Sequence, residues 1–261
     1  MPQTDMAAVQ QLLECDPVWA AYALADLQPE FAPVCAWTIG TDKADRAVAL
    51  VFTGLEIPTL FLSGPAYAAA DAVAQIPALP EQVYITVREE HVPVVDRHWD
   101  FSRDTRPMWR LALAADTALP HRETPGLMRL TAGDSDRLRA LYRHGGPFTP
   151  DAFSPYQVDN GVFWGMEDED GALSAAGGTH IVNWELGVGA IGNMYTRPDS
   201  RGRGYAGVVL AAIVNTLRAG GVDNIVLNVD QRNEPARRIY EKYGFRIHCP
   251  YVEGIGVKRA A

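Results

Sequence analysis

Arg201-Gly202-Arg203-Gly204 is the stretch of this sequence best suited to chemistry, and that chemistry is the holding of an anion. Two glycines in a short turn expose successive backbone N–H groups, and a helix starting there adds the positive end of its dipole. The two arginines bring charge to the same place. A phosphate or pyrophosphate is the group such a turn takes. Its glycines also satisfy a dinucleotide-type spacing, Gly202-x-Gly204-x-x-Gly207, so a Rossmann reading must be weighed. The flanking arginines and the hairpin segments upstream argue against it. A Walker loop is excluded because no Gly-Lys-Ser/Thr follows.

The elements that hold the turn can be read around it. Ala190-Ile191 and Met194-Tyr195-Thr196 read as strand, and Pro198 prevents simple continuation. Ala206, Val209, Leu210, Ile213 and Leu217 recur at helical spacing, and Gly220-Gly221 ends the run. Asn224 to Val229 is an apolar strand with Asn228 near its end. Asn233-Glu234-Pro235 then combines a cap residue with proline in the first turn, opening a helix that carries Ile239, Tyr240 and Tyr243 and stops at Gly244.

Arg201-x-x-Gly204-x-Ala206, placed between strand and helix, resembles the Arg/Gln-x-x-Gly-x-Gly/Ala pattern of the GNAT superfamily of acyl-CoA-dependent N-acetyltransferases. The run from Asn233 through Ala236 and Tyr240 to Gly244-Phe245 resembles the second signature of that family. Val162-Phe163-Trp164-Gly165 and Tyr195-Thr196-Arg197-Pro198 are similar to its glycine-N-acyltransferase-like branch. The resemblance covers roughly residues 127 to 257. The first half shares only coarse architecture, as a degenerate GNAT-like domain without the cofactor motif would.

The resemblance implies an acetyl-CoA cosubstrate, no metal, and transfer of an acetyl group to a primary amine by direct attack. Arg201, Gly202, Arg203, Gly204, Tyr205, Ala206 and Gly207 would hold the pyrophosphate. The strand Met194, Tyr195 and Thr196 would offer its edge to the pantetheine and, through a bulge, an N–H to the thioester oxygen. Asn228 and Asn233 match positions that bind the pantetheine arm, although Asn233 also suits a helix cap. Tyr240 occupies the position of the general acid; an unperturbed phenol is protonated at neutral pH and can protonate the departing thiolate. The family branch carries a glutamate near the start of the strand leading to the turn, where this chain has Gly189-Ala190-Ile191. Glu185 and His180 are the nearest ionisable candidates for a base, and each also suits a structural or turn role. Arg232, Arg237 and Arg238 suit an exposed helix better than a ligand site.

The whole chain frames these expectations. Its 261 residues allow one large domain or two small ones, and 48% hydrophobic with 21% charged residues is ordinary globular composition. A formal net charge of −9 argues against nonspecific binding to nucleic acid or anionic membrane. Three scattered cysteines, Cys15, Cys35 and Cys249, form neither a metal-ligand spacing nor a disulfide framework, which points to the cytoplasm. No stretch has signal-peptide or membrane-spanning length.

Strand, turn and helix signals repeat in each half as helix, three-strand meander, helix, strand, helix, strand. The expected fold is therefore α+β: tandem GNAT-like domains, each a mixed, mostly antiparallel sheet flanked by helices. The degenerate domain is expected over 1–118, a proline-bearing linker over 119–126, and the catalytic domain over 127–261. The expected partners are acyl-CoA and a small amine acceptor, and a homodimer is compatible with the sequence. A noncatalytic acyl-CoA-binding regulatory module is the alternative.

Overall fold

The computed structural model describes residues 4–101, 105–120, 124–151 and 153–260. The chain forms two compact units. The first joins Met1–Arg110 to His248–Ala261, and the second is Leu111–Ile247. This division differs from linear halves because the last strand of the chain pairs within the first unit. The segment 119–126 lies in the second unit, and its residues 121–123 are outside the described ones.

In the first unit, helices α1 (Met6–Glu14) and α2 (Ala21–Ala25) precede strands β1 (Cys35–Asp42), β2 (Asp45–Phe52) and β3 (Thr59–Ser63). Those strands form an antiparallel meander, with Trp37 opposite Leu50 and Leu50 opposite Phe61. Helix α3 (Ala66–Ala74) crosses to β4 (Gln82–Val87), which pairs parallel to β3. A one-turn helix, α4 (Val92–Val95), and the short β5 (Trp99–Asp100) follow, and β6 (Arg106–Leu113) begins in this unit. Helix α4 ends at Val95, and Trp99 and Asp100 go extended to pair with Lys258 and Val257. The core gathers Leu60, Leu62, Val73, Ile85, Val95 and Trp99 between sheet and helices.

The second unit repeats the plan. Strand β7 (Leu127–Arg129) leads through a turn to α5 (Ser135–Tyr142) and α6 (Pro155–Asn160). Strands β8 (Phe163–Glu167), β9 (Leu173–Asn183) and β10 (Val188–Thr196) form the antiparallel meander. Helix α7 (Tyr205–Ala219) crosses to β11 (Asn224–Asp230), parallel to β10, and α8 (Glu234–Lys242) leads into β12 (Phe245–Lys258). Each unit therefore shows a meander, a crossover helix and a parallel fourth strand, the tandem α+β arrangement expected from the sequence. Among the described residues, no helix is long and apolar enough to cross a membrane.

The segment 144–160 contains α6. Ser154 and Gln157 make a reciprocal capping box there, with Pro155 at the first turn, a start signal set among prolines and glycines that otherwise read as loop. The chain's last fourteen strand residues form one strand, β12. Pro250 sits within it at an exposed position, where extended backbone tolerates a missing N–H.

Alternation on β8 fixes which helices cover which face of the second unit's sheet. Phe163 packs with Leu138, Leu141 and Tyr142 of α5 and Val158 of α6. Its neighbour Trp164 points the other way and donates from Nε1 to Thr216 Oγ1 of α7 at 3.0 Å. Phe163→Ala empties a fully buried position in this core. It should lower stability by about 3–5 kcal/mol in urea denaturation, the usual range for a buried aromatic truncation.

Candidate functional site

The parallel register of β10 with β11 runs from Val188 opposite Asn224 to Ile191 opposite Leu227 and then stops. Both strands continue, β10 to Thr196 and β11 to Asp230, so the edge of β10 that faced β11 loses its partner at Gly192. Asn228 is the first residue of β11 past the last pair. The two strands part where the sequence places Met194, Tyr195 and Thr196.

A bulge lies in the same stretch. Against β9, Gly192 is opposite Gly178 and Tyr195 is opposite Ala176, so Asn193 and Met194 together face the single residue Gly177. Asn193 takes φ +55°, the left-handed region that asparagine enters more readily than most side chains. It is 4% exposed and held by two hydrogen bonds. Tyr142 Oη donates to its carbonyl oxygen at 2.9 Å, and its own Nδ2 donates to Gln157 Oε1 at 2.9 Å. The same Gln157 oxygen accepts from Ser154 N at 3.1 Å, tying the bulge to the cap of α6. Two residues on, Tyr195 Oη donates to the Gly145 carbonyl at 2.7 Å.

Beyond β10 the chain turns through Pro198–Ser200 into the glycine stretch. Arg197 steadies this corner, donating from Nε to Asp199 at 2.6 Å and pairing through Nη1 with Asp168 at 3.0 Å. The Arg197 hydrogen bond holds the Asp199 carboxyl below its usual range, and the Ala172 N–H, with Arg197, does the same for Asp168. Gly202 and Gly204 have φ of 78° and 80°, and a Cβ on either would meet open space. Glycine is required there by backbone conformation, and the space beside it is free for a ligand. Gly204 is the N-cap of α7 and provides no side-chain cap. Among the described residues, the N–H groups of Gly202, Arg203, Gly204, Tyr205 and Ala206 have no backbone acceptor. Arg201 and Arg203 are exposed and make no ion pair among the described residues; Arg201 Nε donates to the Thr196 carbonyl at 3.3 Å. Gly207, one turn in, lies against the Tyr243 hydroxyl.

The corresponding turn of the first unit is closed. Gly64 also has a positive φ, 102°, but a Cβ there would strike the Arg46 carbonyl at 2.7 Å and Ala47 Cα at 2.8 Å. Its carbonyl is taken by His91 Nε2 at 2.8 Å.

The remaining expected residues divide. Asn233 caps α8, accepting from Ala236 N at 3.3 Å. Tyr240 is 8% exposed, with its ring 6.2 Å from Phe245. Its hydroxyl makes no hydrogen bond among the described residues, and burial pushes the phenol up to about 12. Arg232 pairs with Asp230, Arg237 with Glu241 and Arg238 with Glu234, so each of these helix arginines has a local acid. Glu185 lies on the exposed turn before β10, eight residues from Asn193, roughly 26 Å along an extended strand. The fold does not bring it to the opening. His180 is different: its ring lies over Gly192, where a Cβ would come within 2.1 Å of Nε2. Sequence reasoning missed Tyr142 and Gln157. The signal for Gln157 was the Ser154-Pro-x-Gln cap; nothing local marked Tyr142.

The site thus joins a parallel pair that splays beside a bulge to a glycine-rich helix start on the same strand's continuation. Residues 126–245 match the Acetyltransferase (GNAT) family. The chain is similar to that family over this segment, a little under half of its length. It is 33% identical to a mycothiol acetyltransferase of Corynebacterium aurimucosum over 101 residues, 35% of this chain and 33% of that one. With a mycothiol acetyltransferase of Clavibacter michiganensis it shares 26% identity over 215 residues, 82% of this chain and 59% of that one. The chain thus spans from a third to three-fifths of the length of these curated relatives. A solved tandem GNAT protein from the clavulanic acid biosynthesis pathway has the same fold, with a TM-score of 0.57 at 13% identity, covering 99% of this chain and 97% of that one.

Asn233→Ala tests the observed cap against a role toward a ligand. Loss of the cap alone should cost about 1 kcal/mol in chemical denaturation, and a second role toward a ligand adds a weaker acetyl-CoA affinity.

Proposed function

We propose that the protein transfers an acetyl group from acetyl-CoA to a primary amine of a small molecule, in the cytoplasm. The observation that carries this reading is the pairing of two features on one strand and its continuation: a bulged, partnerless edge at Asn193–Thr196, and an open left-handed glycine turn ending in free N–H groups. The pyrophosphate sits on the N–H groups of 202–206 with Arg201 and Arg203 beside it. The pantetheine amides take the freed edge of Met194 to Thr196, flanked by Asn228 and Asn233. The thioester then lies at the bulge.

The chemistry follows from that placement. The amine nitrogen attacks the thioester carbon, and the carbonyl oxygen becomes an oxyanion that a bulge N–H can stabilise. When the tetrahedral species collapses, the C–S bond breaks and the sulfur takes the proton of the Tyr240 hydroxyl. The proton lost from the amine balances the one Tyr240 gives up, returned through solvent. Because burial raises the phenol, Tyr240 holds its proton throughout the neutral range and loses it only as pH approaches its folded value. Of the two ionisable candidates for accepting the amine's proton, His180 beside Gly192 is the one the fold carries to the opening. The relatives are named as mycothiol acetyltransferases, and that name fits an acceptor of small-molecule size. The resemblance of Val162–Gly165 and Tyr195–Pro198 to the glycine-N-acyltransferase-like branch points the same way. The closed turn at Gly64 supports a first unit without a second acyl-CoA site of this kind.

Two variants test the reading. Gly204→Glu places a carboxylate in the anion turn and strains a left-handed position; acetyl-CoA affinity by calorimetry should fall at least 100-fold. Tyr240→Phe should keep that affinity within about threefold while thiol release with an amine panel drops about 100-fold, the lower end of the usual general-acid contribution. The ratio of wild-type to Tyr240→Phe rates should stay flat from pH 7 to pH 9.5, because the phenol remains protonated across that window. Wild-type protein that binds acetyl-CoA but acetylates no amine would leave only the noncatalytic binding module.

A further inference from the structure

We infer that Tyr142 is a positioning residue: its hydroxyl fixes the Asn193–Met194 peptide so that the Met194 N–H is aimed as the oxyanion donor. This rests on the acyl-transfer reading above and adds a residue that neither signature of the family contains.

The argument starts from peptide geometry. The Asn193–Met194 bond is planar and trans, so its C=O and N–H point in opposite directions. Tyr142 Oη holds the Asn193 oxygen at 2.9 Å from the α5 side. The Met194 N–H is therefore turned away from α5, and it belongs to a bulge residue with no partner of its own on β9. A peptide at this position needs such a hold, because the bulge removes it from the ladder and the strand beyond Ile191 has lost β11 as a neighbour. Left alone, the plane could rock. Asn193 at positive φ is the complementary half of the device. Its backbone conformation turns the peptide out, and its side chain anchors the turned residue to Gln157.

Tyr142 is well built for the task. It is 7% exposed, packed edge-to-face with Phe153 at 5.5 Å and with Tyr195 at 6.0 Å. Burial raises its phenol far above the usual range, so it stays a donor at every working pH. The ring is fixed by the core around Leu138, Leu141 and Phe163, which makes the hydroxyl a rigid pointer and not a swinging one. A donor displaced by about 1 Å from a developing charge can lose on the order of 100-fold in rate, so small errors in this plane matter.

Tyr142→Phe is the test, because it keeps the ring packing and deletes only the hydroxyl. The expected result is a kcat for thiol release lowered about 10- to 100-fold, with the KM for acetyl-CoA and the affinity for CoA within about threefold of wild type. Leu60→Ala opens a fully buried position in the first unit's core. It should lower thermal stability at least as much as Tyr142→Phe yet hold kcat within about twofold. A readout free of turnover accompanies these: the ratio of CoA to acetyl-CoA dissociation constants, which the carbonyl contact raises in wild type and Tyr142→Phe brings toward unity. A Tyr142→Phe kcat within twofold of wild type overturns the inference and leaves the acyl-transfer reading standing. If wild type transfers to no amine, that reading falls, and the affinity ratio alone decides: a ratio that Tyr142→Phe does not change overturns the positioning role as well.

Discussion

The structure depends on an interruption in its own hydrogen bonding. Parallel pairing between β10 and β11 ends at Ile191 and Leu227, although both strands run on. A sheet ordinarily keeps such edges paired, since unpaired backbone N–H and C=O groups are strong and obligatory partners. Here the strand leaves five residues, Gly192 to Thr196, open along one side. The opening persists because the other side compensates. Along the opening, Gly178, Ala176 and Ala175 of β9 still pair with β10, and Tyr142, Gln157 and Gly145 take up the groups that the bulge displaces. The small residues Gly177 and Gly178 on β9 let Met194 and Phe163 close over the sheet from opposite faces. The cost of the opening is spread over α5, α6 and the loop between them, which is why those elements belong to the site without touching its signatures.

The glycine turn obeys the same logic at its own scale. Two left-handed glycines and an uncapped helix start leave donors unsatisfied, a condition that natural helices usually correct with a side-chain cap. Arg197, bridged to Asp168 and Asp199, fixes the corner that presents those donors, while Arg201 and Arg203 remain exposed beside them. The first unit has the same meander, crossover helix and parallel strand, but its turn is packed against the Arg46–Ala47 backbone and His91. The fold repeats in the two units, while the open glycine turn of the second is a packed one in the first.

Much of this was legible in the sequence because local rules govern it. The crossover helix announced itself through Val209, Leu210, Ile213 and Leu217, and the second through Asn233 and Pro235, each a signal confined to one element. The positions of Gly202 and Gly204 could be read because only a left-handed turn needs glycine so placed. Other features were out of reach for a physical reason. Tyr142 acts on Asn193 across 51 residues of chain, and no local pattern encodes a hydrogen bond of that separation. Helix α6 was hidden because its cap, Ser154 with Gln157, sits among residues whose composition favours loops. Glu185 looked close to the site because it precedes β10 in sequence, yet an extended strand carries its two ends far apart. His180 stands on a different strand and arrives at the opening through the β9–β10 register.

The central claim is that the open edge of β10 and the turn below it receive one molecule of acetyl-CoA. A crystal structure of the protein with acetyl-CoA measures this directly. The account predicts the pyrophosphate within hydrogen-bond distance of the 202–206 N–H groups, the pantetheine along Met194 to Thr196, and the thioester oxygen about 3 Å from the Met194 N–H. Acetyl-CoA bound anywhere else on the chain, or bound at the turn with its thioester directed away from the bulge, would contradict it.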